Sequence, residues 1–257
     1  MRSGDDQLAL GLLAFGDSIT NGGGELQWGV ALQSWALWVA RALGLPFTSY
    51  AFDGAGAADV VNRQIPAFER NSAHPRACYD IGCVYIGVND VRAVDWNPAA
   101  FADNLRTVLR FLTEDCVRTI ALTAPLDLGR PTSGARVTEL NAIIRAAAAD
   151  HAALLVDLSG FGARNHVMVD HVHPTAFGQI AIAERALTVL ASDGVHVAVR
   201  PSTLITYETT RWRRLRADAT YAYRHAKVSA RAAWLAAARS SDPVDATFRA
   251  KSARKCA

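Results

Sequence analysis

The sequence predicts an α/β fold in three layers: a parallel five-stranded sheet between two layers of helices, followed by a basic helical extension at the C-terminal end. Three observations carry this prediction. Five short apolar runs alternate with longer segments of helical period, the rhythm of a parallel sheet with helices on both faces. Glycine, proline and aspartate punctuate the ends of the runs. A chain of 257 residues with 51% hydrophobic residues is also long enough to bury a full core.

The elements follow in order. Leu8–Phe15 is a continuous apolar run stopped by Gly16, as a strand buried on both faces should be. Trp28–Leu43 has helical spacing through Leu32, Trp35, Val39 and Leu43, with Gly44 as its stop. Phe47–Phe52 reads as the second strand. Ala57–Arg70 reads as a helix that Pro66 breaks or ends early. Ile81–Val88 is the third strand. Pro98–Asp115 is a helix with proline at its start and Phe101, Leu105, Val108 and Leu112 on one face. Val117–Ala124 is the fourth strand, stopped by Pro125. Gly134–Asp150 is an alanine-rich helix, Ala153–Leu158 the fifth strand, and Thr175–Leu190 a helix with Ile180, Ala183 and Leu187 inward.

Charge divides the chain. Residues 200–257 hold thirteen Lys and Arg against four Asp and Glu, a net of +9, whereas residues 1–199 hold fourteen against twenty, a net of −6. The division expected is therefore a main body over 1–199 and a basic helical extension over 200–257 whose end, from Ser240, is disordered. No apolar run reaches membrane-spanning length, and no small-residue cleavage site follows Leu8–Phe15, so no secretory leader is expected and the chain reads as cytoplasmic. Cys78, Cys83, Cys116 and Cys256 lack paired or metal-type spacing. His74, His151, His166 and His196 are scattered, so neither a metal nor any other cofactor is implied.

In a parallel sheet, functional groups gather beyond the carboxyl ends of the strands. Four clusters fall there: Gly16-Asp17-Ser18 after the first strand, Asp53-Gly54-Ala55-Gly56 after the second, Gly87-Val88-Asn89-Asp90 after the third, and Asp170-His171-Val172-His173-Pro174 before the last helix. Acyl transfer needs a serine with a base in reach, an acid to orient the base, and N–H donors for the oxyanion. Each cluster alone reads as a turn or a cap; four at one sheet edge do not. His171 competes with His173 for the base, and the Asp-x-x-His spacing and Pro174 favour His173. Asp17 and Asp90 read as loop braces. Gly22-Gly23-Gly24 lacks the lysine of a phosphate loop and reads as a flexible pocket wall.

In this order and spacing, the four blocks resemble those of the SGNH (GDSL) hydrolase family, over roughly residues 8–192. Gly16-Asp17-Ser18-Ile19-Thr20 is similar to the nucleophile block, Ser49–Val60 to the second, Gly87–Asp90 to the third and Asp170–Gln179 to the last. One departure is Ser49, where the second block begins with asparagine. The resemblance implies a flavodoxin-like fold and a serine esterase acting on carboxylic esters of small to medium acyl groups. Ser18 is then the nucleophile, His173 the base and Asp170 its orienting acid. The backbone N–H groups of Ser18 and Gly54 and the side-chain amide of Asn89 form the oxyanion hole. At Gly54 a glycine is expected because only it lets the backbone approach a ligand closely.

Two other functions stay open at this point: an acyltransferase or thioesterase that uses the same residues and passes the acyl group to an acceptor other than water, and a catalytically silent binding or scaffold protein. The partner expected is a small-molecule ester, with no nucleic acid. Trp28, Trp35 and Trp38 read as core more than as pocket lining. Leu126–Arg136 reads as a rim whose Arg130 and Arg136 either face solvent or meet an anionic substrate. In the extension, Trp212, Leu215, Ala219, Ala222, Ala226, Ala230, Trp234 and Ala237 recur at helical intervals among arginines. That basic helix is expected to dock on protein, either its own body, a second subunit or an acidic partner, ahead of a membrane surface, because the stripe is mostly alanine.

Overall fold

Parallel pairing of short buried strands sets the architecture. The computed structural model describes residues 10–27, 30–71, 78–205 and 210–240. Strands β1 (Leu12–Gly16), β2 (Phe47–Ser49), β3 (Tyr79–Tyr85), β4 (Cys116–Leu122) and β5 (Leu154–Val156) form one parallel sheet in the order β2-β1-β3-β4-β5. Every residue of β1 is buried, as its uninterrupted apolar run requires. In register, β1 pairs Leu12 with Phe47 on one side and with Ile81 on the other.

Helix α2 (Trp35–Leu43) packs with α8 (Ala176–Ser192) on one face of the sheet. On the other lie α6 (Pro98–Asp115) and α7 (Ala135–Asp150), with the helical segment that begins at Ala57. Here the core is aromatic: Phe68 stands edge-on to Phe15, Tyr50 and Phe111, with ring centroids 5.6–6.3 Å apart, a separation favoured by ring quadrupoles. The face of α6 holding Phe101, Leu105, Val108 and Leu112 is buried, and Asn97 caps its start by accepting from Ala100 N–H.

Two expected boundaries are corrected. The helix expected over 28–43 begins at Trp35, because Ser34 caps it by accepting from Leu37 N–H; Trp28 lies outside the described residues, as do His74, Cys256, residues 8 and 9 of the first expected strand, and the chain from residue 241 on. Pro66 does not end its helix. The segment runs through α3 (Ala57–Asp59), a π-helical turn (Val60–Gln64) and α4 (Ile65–Asn71). Ile65 N–H reaches Val60 O, five residues back. This widened turn carries the chain past the proline.

After a short 3₁₀ turn (Pro201–Leu204), helix α9 (Arg211–Ser240) runs for 30 residues. Its Arg224 pairs with Glu25 at 2.9 Å and its Asp218 with Arg164 at 2.6 Å. The Arg164 guanidinium also lies over the Tyr221 ring, 5.0 Å from its centre. Among the described residues no helix is long and apolar enough to cross a membrane.

Candidate active site

Four loops at the carboxyl ends of the strands build the site. Directly after β1, Asp17 caps the single-turn helix α1 (Ser18–Asn21): its Oδ1 accepts from Ile19 N–H at 2.9 Å. Ser18 thereby opens a helix whose first N–H groups have no partner within the helix. The turn is clamped from two directions by buried glutamines: Gln64, which lies outside the four blocks, and Gln179, which closes the fourth block without a role read for it. Gln64 accepts from Gly16 N–H (3.0 Å) and donates to Gly16 O (2.8 Å). Gln179 accepts from Trp35 N–H (2.8 Å) and donates to Ile19 O and Gly23 O (both 3.0 Å).

Glycines 22–24 are not a flexible wall. Gly23 N–H donates to Ser18 O at 2.6 Å, and a Cβ on Gly24 would collide with the carbonyl of Pro174. Trp35 and Trp38 are core, 0% and 7% exposed.

His173 arrives from the loop between β5 and α8. Its Nε2 stands 3.0 Å from Ser18 Oγ, and its Nδ1 2.7 Å from Asp170 Oδ2. The Asp-x-x-His segment is a closed turn, since Asp170 Oδ1 also accepts from the N–H groups of Val172 and His173. The hydrogen bond from Nδ1 to Asp170 holds the His173 pKa above its ordinary value, against the opposing effect of burial. Burial alone would raise the Asp170 pKa, but hydrogen bonds from His173 and from those backbone N–H groups outweigh it and hold the carboxyl below its usual range. His171 points elsewhere: its Nδ1 lies 3.0 Å from Asp127 and its Nε2 3.1 Å from Arg130.

The second and third clusters meet in one bracket. Asn89, on α5 (Val88–Arg92), donates Nδ2–H to Ala55 O at 3.0 Å, and Asp90 accepts from Ala57 N–H at 3.0 and 3.2 Å. The loop that presents Gly54 is thus pinned at two points just after it. Gly54 has φ +80°, yet a Cβ there would meet nothing within 4 Å. Glycine is required by the left-handed backbone, not by crowding in the free protein. Ser49, in the place of the family's asparagine, accepts from Ala51 N–H at 3.3 Å.

Asp17 is the electrostatic outlier. It is 1% exposed, and its Oδ2 is buried without a hydrogen-bond partner among the described residues. Desolvation pushes its pKa up to about 7. Arg130 and Arg136 are committed within the protein: Arg130 to Asp127 and Gly129 O, and Arg136 to Ala93 O. No group of three or more His, Cys, Asp or Glu suited to a metal occurs among the described residues. A cavity of about 240 Å³ lies between the histidine loop and α9, lined by Glu25, Met168, Thr175, Tyr221 and Arg224 among others.

A hydroxyl, an imidazole and a carboxylate in one hydrogen-bonded line can move a proton off the hydroxyl as it attacks a carbonyl. Comparison with known proteins agrees with that chemistry. The model of the GDSL-like lipase/acylhydrolase family matches residues 14–180. No curated protein matches the sequence. Among solved structures, the chain is similar to LAE5, an alpha/beta hydrolase enzyme from the metagenome of Lake Arreo, Spain (22% identity, TM-score 0.55, covering 72% of this chain and 96% of that one). It is also similar to a catalytic mutant of Axe2, an acetylxylan esterase from Geobacillus stearothermophilus (19%, 0.57, 74% and 96%). A third is a GDSL-like lipase from Parabacteroides merdae (16%, 0.55, 72% and 98%). At these identities the likeness speaks for the fold.

Proposed function

Because the chain belongs to the GDSL-like lipase/acylhydrolase family, a family of carboxylic ester hydrolases, we propose that it cleaves esters of small to medium acyl groups through an acyl-enzyme on Ser18. The observation that carries this reading is the line from Ser18 Oγ to His173 Nε2 at 3.0 Å and on from Nδ1 to Asp170 at 2.7 Å.

In this reading Ser18 Oγ forms a bond to the acyl carbon while its proton passes to His173 Nε2. Asp170 keeps the imidazole in the tautomer that bears the proton on Nδ1 and stabilises the imidazolium. The oxyanion is met by the backbone N–H groups of Ser18 and Gly54 and by the second amide hydrogen of Asn89, whose first is spent on Ala55 O. Collapse breaks the ester C–O bond, and the alkoxide leaves with the proton from His173. Water, deprotonated by the same imidazole, then frees the acid and restores Ser18.

The acetylxylan esterase among the structural neighbours makes acetyl the first acyl group to test. Residues 1–199 serve as the catalytic unit, and α9 is an element docked on that unit's outer surface through Asp218, Tyr221 and Arg224. Hydrolysis of p-nitrophenyl acetate, butyrate and octanoate by wild type, Ser18→Ala and His173→Ala tests the proposal. Turnover is expected in the wild type alone, falling with chain length, and a fluorophosphonate probe should label the wild type but not Ser18→Ala. A burst of nitrophenol equal to the enzyme, without turnover, would transfer the assignment to an acyltransferase. Absence of both turnover and labelling in the wild type would overturn it.

A further inference from the structure

Helix α9 has two faces of different character, and only one is used by the body. At 100° per residue, the half-buried residues Tyr221, His225, Val228, Ser229 and Ala232 share one arc of about 100°. This is the side of Tyr221, which touches Arg164, and of His225, which lies 5.7 Å from His171. Roughly opposite runs a second arc of similar width, holding Trp212, Leu215, Tyr223 and Trp234, with Ala219, Ala226 and Ala230 between them. These large side chains are 80%, 59%, 69% and 69% exposed. The two tryptophans stand 22 residues apart in sequence, about 33 Å along the axis.

Charge says what this face fits. Helix α9 carries eight Lys and Arg against one acidic residue, and that residue, Asp218, is already paired with Arg164. Arg213, Arg216, Lys227 and Arg231 lie along one border of the apolar arc, all exposed, and none forms an ion pair among the described residues. Seventeen further residues in the sequence add Arg249, Lys251, Arg254 and Lys255 against Asp242 and Asp245. Trp and Tyr are amphipathic rings suited to the headgroup boundary of a bilayer, and arginine stems lie on apolar surface while their heads stay in water. A helix that is polar on the whole, yet has aromatic residues in its apolar stripe and a strongly basic border beside it, fits the plane of an interface.

We infer that the outward face of α9, through Trp212, Leu215, Tyr223 and Trp234 with Arg213, Arg216, Lys227 and Arg231 beside them, is a docking surface for anionic lipid bilayers. The alanines that argue for protein contact in the bare sequence occupy the middle of this stripe, while the aromatic residues at its ends and centre supply the apolar area. Binding places the body on the membrane with α9 between, independently of whether Ser18 turns over.

The test uses the full chain and vesicles of phosphatidylcholine alone or with 30% phosphatidylglycerol. Sedimentation should show binding to the anionic vesicles at least tenfold stronger than to the neutral ones, falling as salt rises, with a blue shift of tryptophan emission. Replacing Arg213, Arg216, Lys227 and Arg231 by Gln should weaken binding on the order of a hundredfold. Trp212→Ser with Trp234→Ser should also release the protein. Since all six positions are exposed, the rate with soluble p-nitrophenyl acetate, or fluorophosphonate labelling, serves as the check that both variants fold. Equal weak binding to both vesicle types overturns the inference. So does a concentration-dependent dimer that Trp212→Ser abolishes, because a second copy would then be what covers the face.

Discussion

The loop that carries Ser18 and the loop that carries His173 meet at 3.0 Å but are held by opposite means. The first is fixed from a distance: Gln64 and Gln179, 1% and 0% exposed, bind its backbone from positions 48 and 160 residues away. In the second, the Asp170–His173 pair is fixed from within its own turn, while the neighbouring His171 is tied to Asp127, Gly129 and Arg130. Asp170 accepts three hydrogen bonds from within its own turn, and the Asp170 and His173 side chains remain 38% and 32% exposed. Position of the proposed nucleophile is a property of the whole fold, whereas orientation of the proposed base is a property of four residues. A nucleophile on a sharp turn has to be immobile, while a base has to be wetted and to exchange protons.

This contrast can be attacked from its largest consequence downward. Asp170→Asn keeps the turn but presents an amide to Nδ1; kcat should fall by about 10⁴-fold with the thermal midpoint nearly unchanged. The acid limb of kcat/KM provides a second reading. His173 acts as a base only when neutral, so activity falls as pH drops through its pKa, which Asp170 holds above the ordinary value. In Asp170→Asn that limb should move to lower pH. Gln179→Leu is the converse experiment. It strands Trp35 N–H in the interior and takes the amide from half-buried Gly23 O, while Ile19 O keeps Gly22 N–H, and at about 1–3 kcal/mol for each group left unpaired urea unfolding should show a loss of that order. A stability unaffected by Gln179→Leu, or a fold lost in Asp170→Asn, would erase the distinction.

Smaller effects sharpen it. Asn89→Ala removes both a proposed oxyanion donor and the hydrogen bond to Ala55 O, and kcat should drop by about 100–1,000-fold with KM little changed. Asp17 tests what burial costs the nucleophile loop. Its native pKa of about 7 exceeds the unfolded value of 3.8, so the folded state binds the proton more tightly than the unfolded state. Stability from this group is present in acid and is lost as pH rises from about 4 to 7. Asn caps a helix as well as Asp does, so Asp17→Asn should abolish a decline of roughly 2–3 kcal/mol between pH 5 and 8, read from urea midpoints at the two pH values. Smallest of all, Asp127→Asn removes the exposed partner of His171, and a self-contained turn should keep kcat within about threefold.

The same contrast explains what could be read from the sequence. The Asp-x-x-His turn is local, so its residues lie side by side in the chain. The strands were legible because a sheet buried on both faces demands uninterrupted apolar runs such as Leu12–Phe15. Helix α6 was legible end to end from Pro98 and the four apolar residues of its inner face; its cap, Asn97, came only with the structure. Gln64 and Gln179 were not, because a buried amide clamp has no periodicity and its partners are backbone groups far along the chain. Nor was the start of α2, since helical spacing of apolar residues continues upstream of Ser34, the residue that caps it. Pro66 misled for a related reason: a π-helical turn leaves no mark in the residue pattern, and the proline looks like a stop.

Gln179 has one more consequence, for the order in which the molecule comes into being. During synthesis Ser18 leaves the ribosome some 160 residues before the amide that steadies its turn, and β1 waits as long for α8. A nascent chain can therefore form much of the sheet while its nucleophile loop stays unanchored and lacks a base. The last helix of the body supplies the amide, and the base arrives six residues ahead of it. On the proposed mechanism, Ser18 gains its base and its clamp only when the body of the protein is complete.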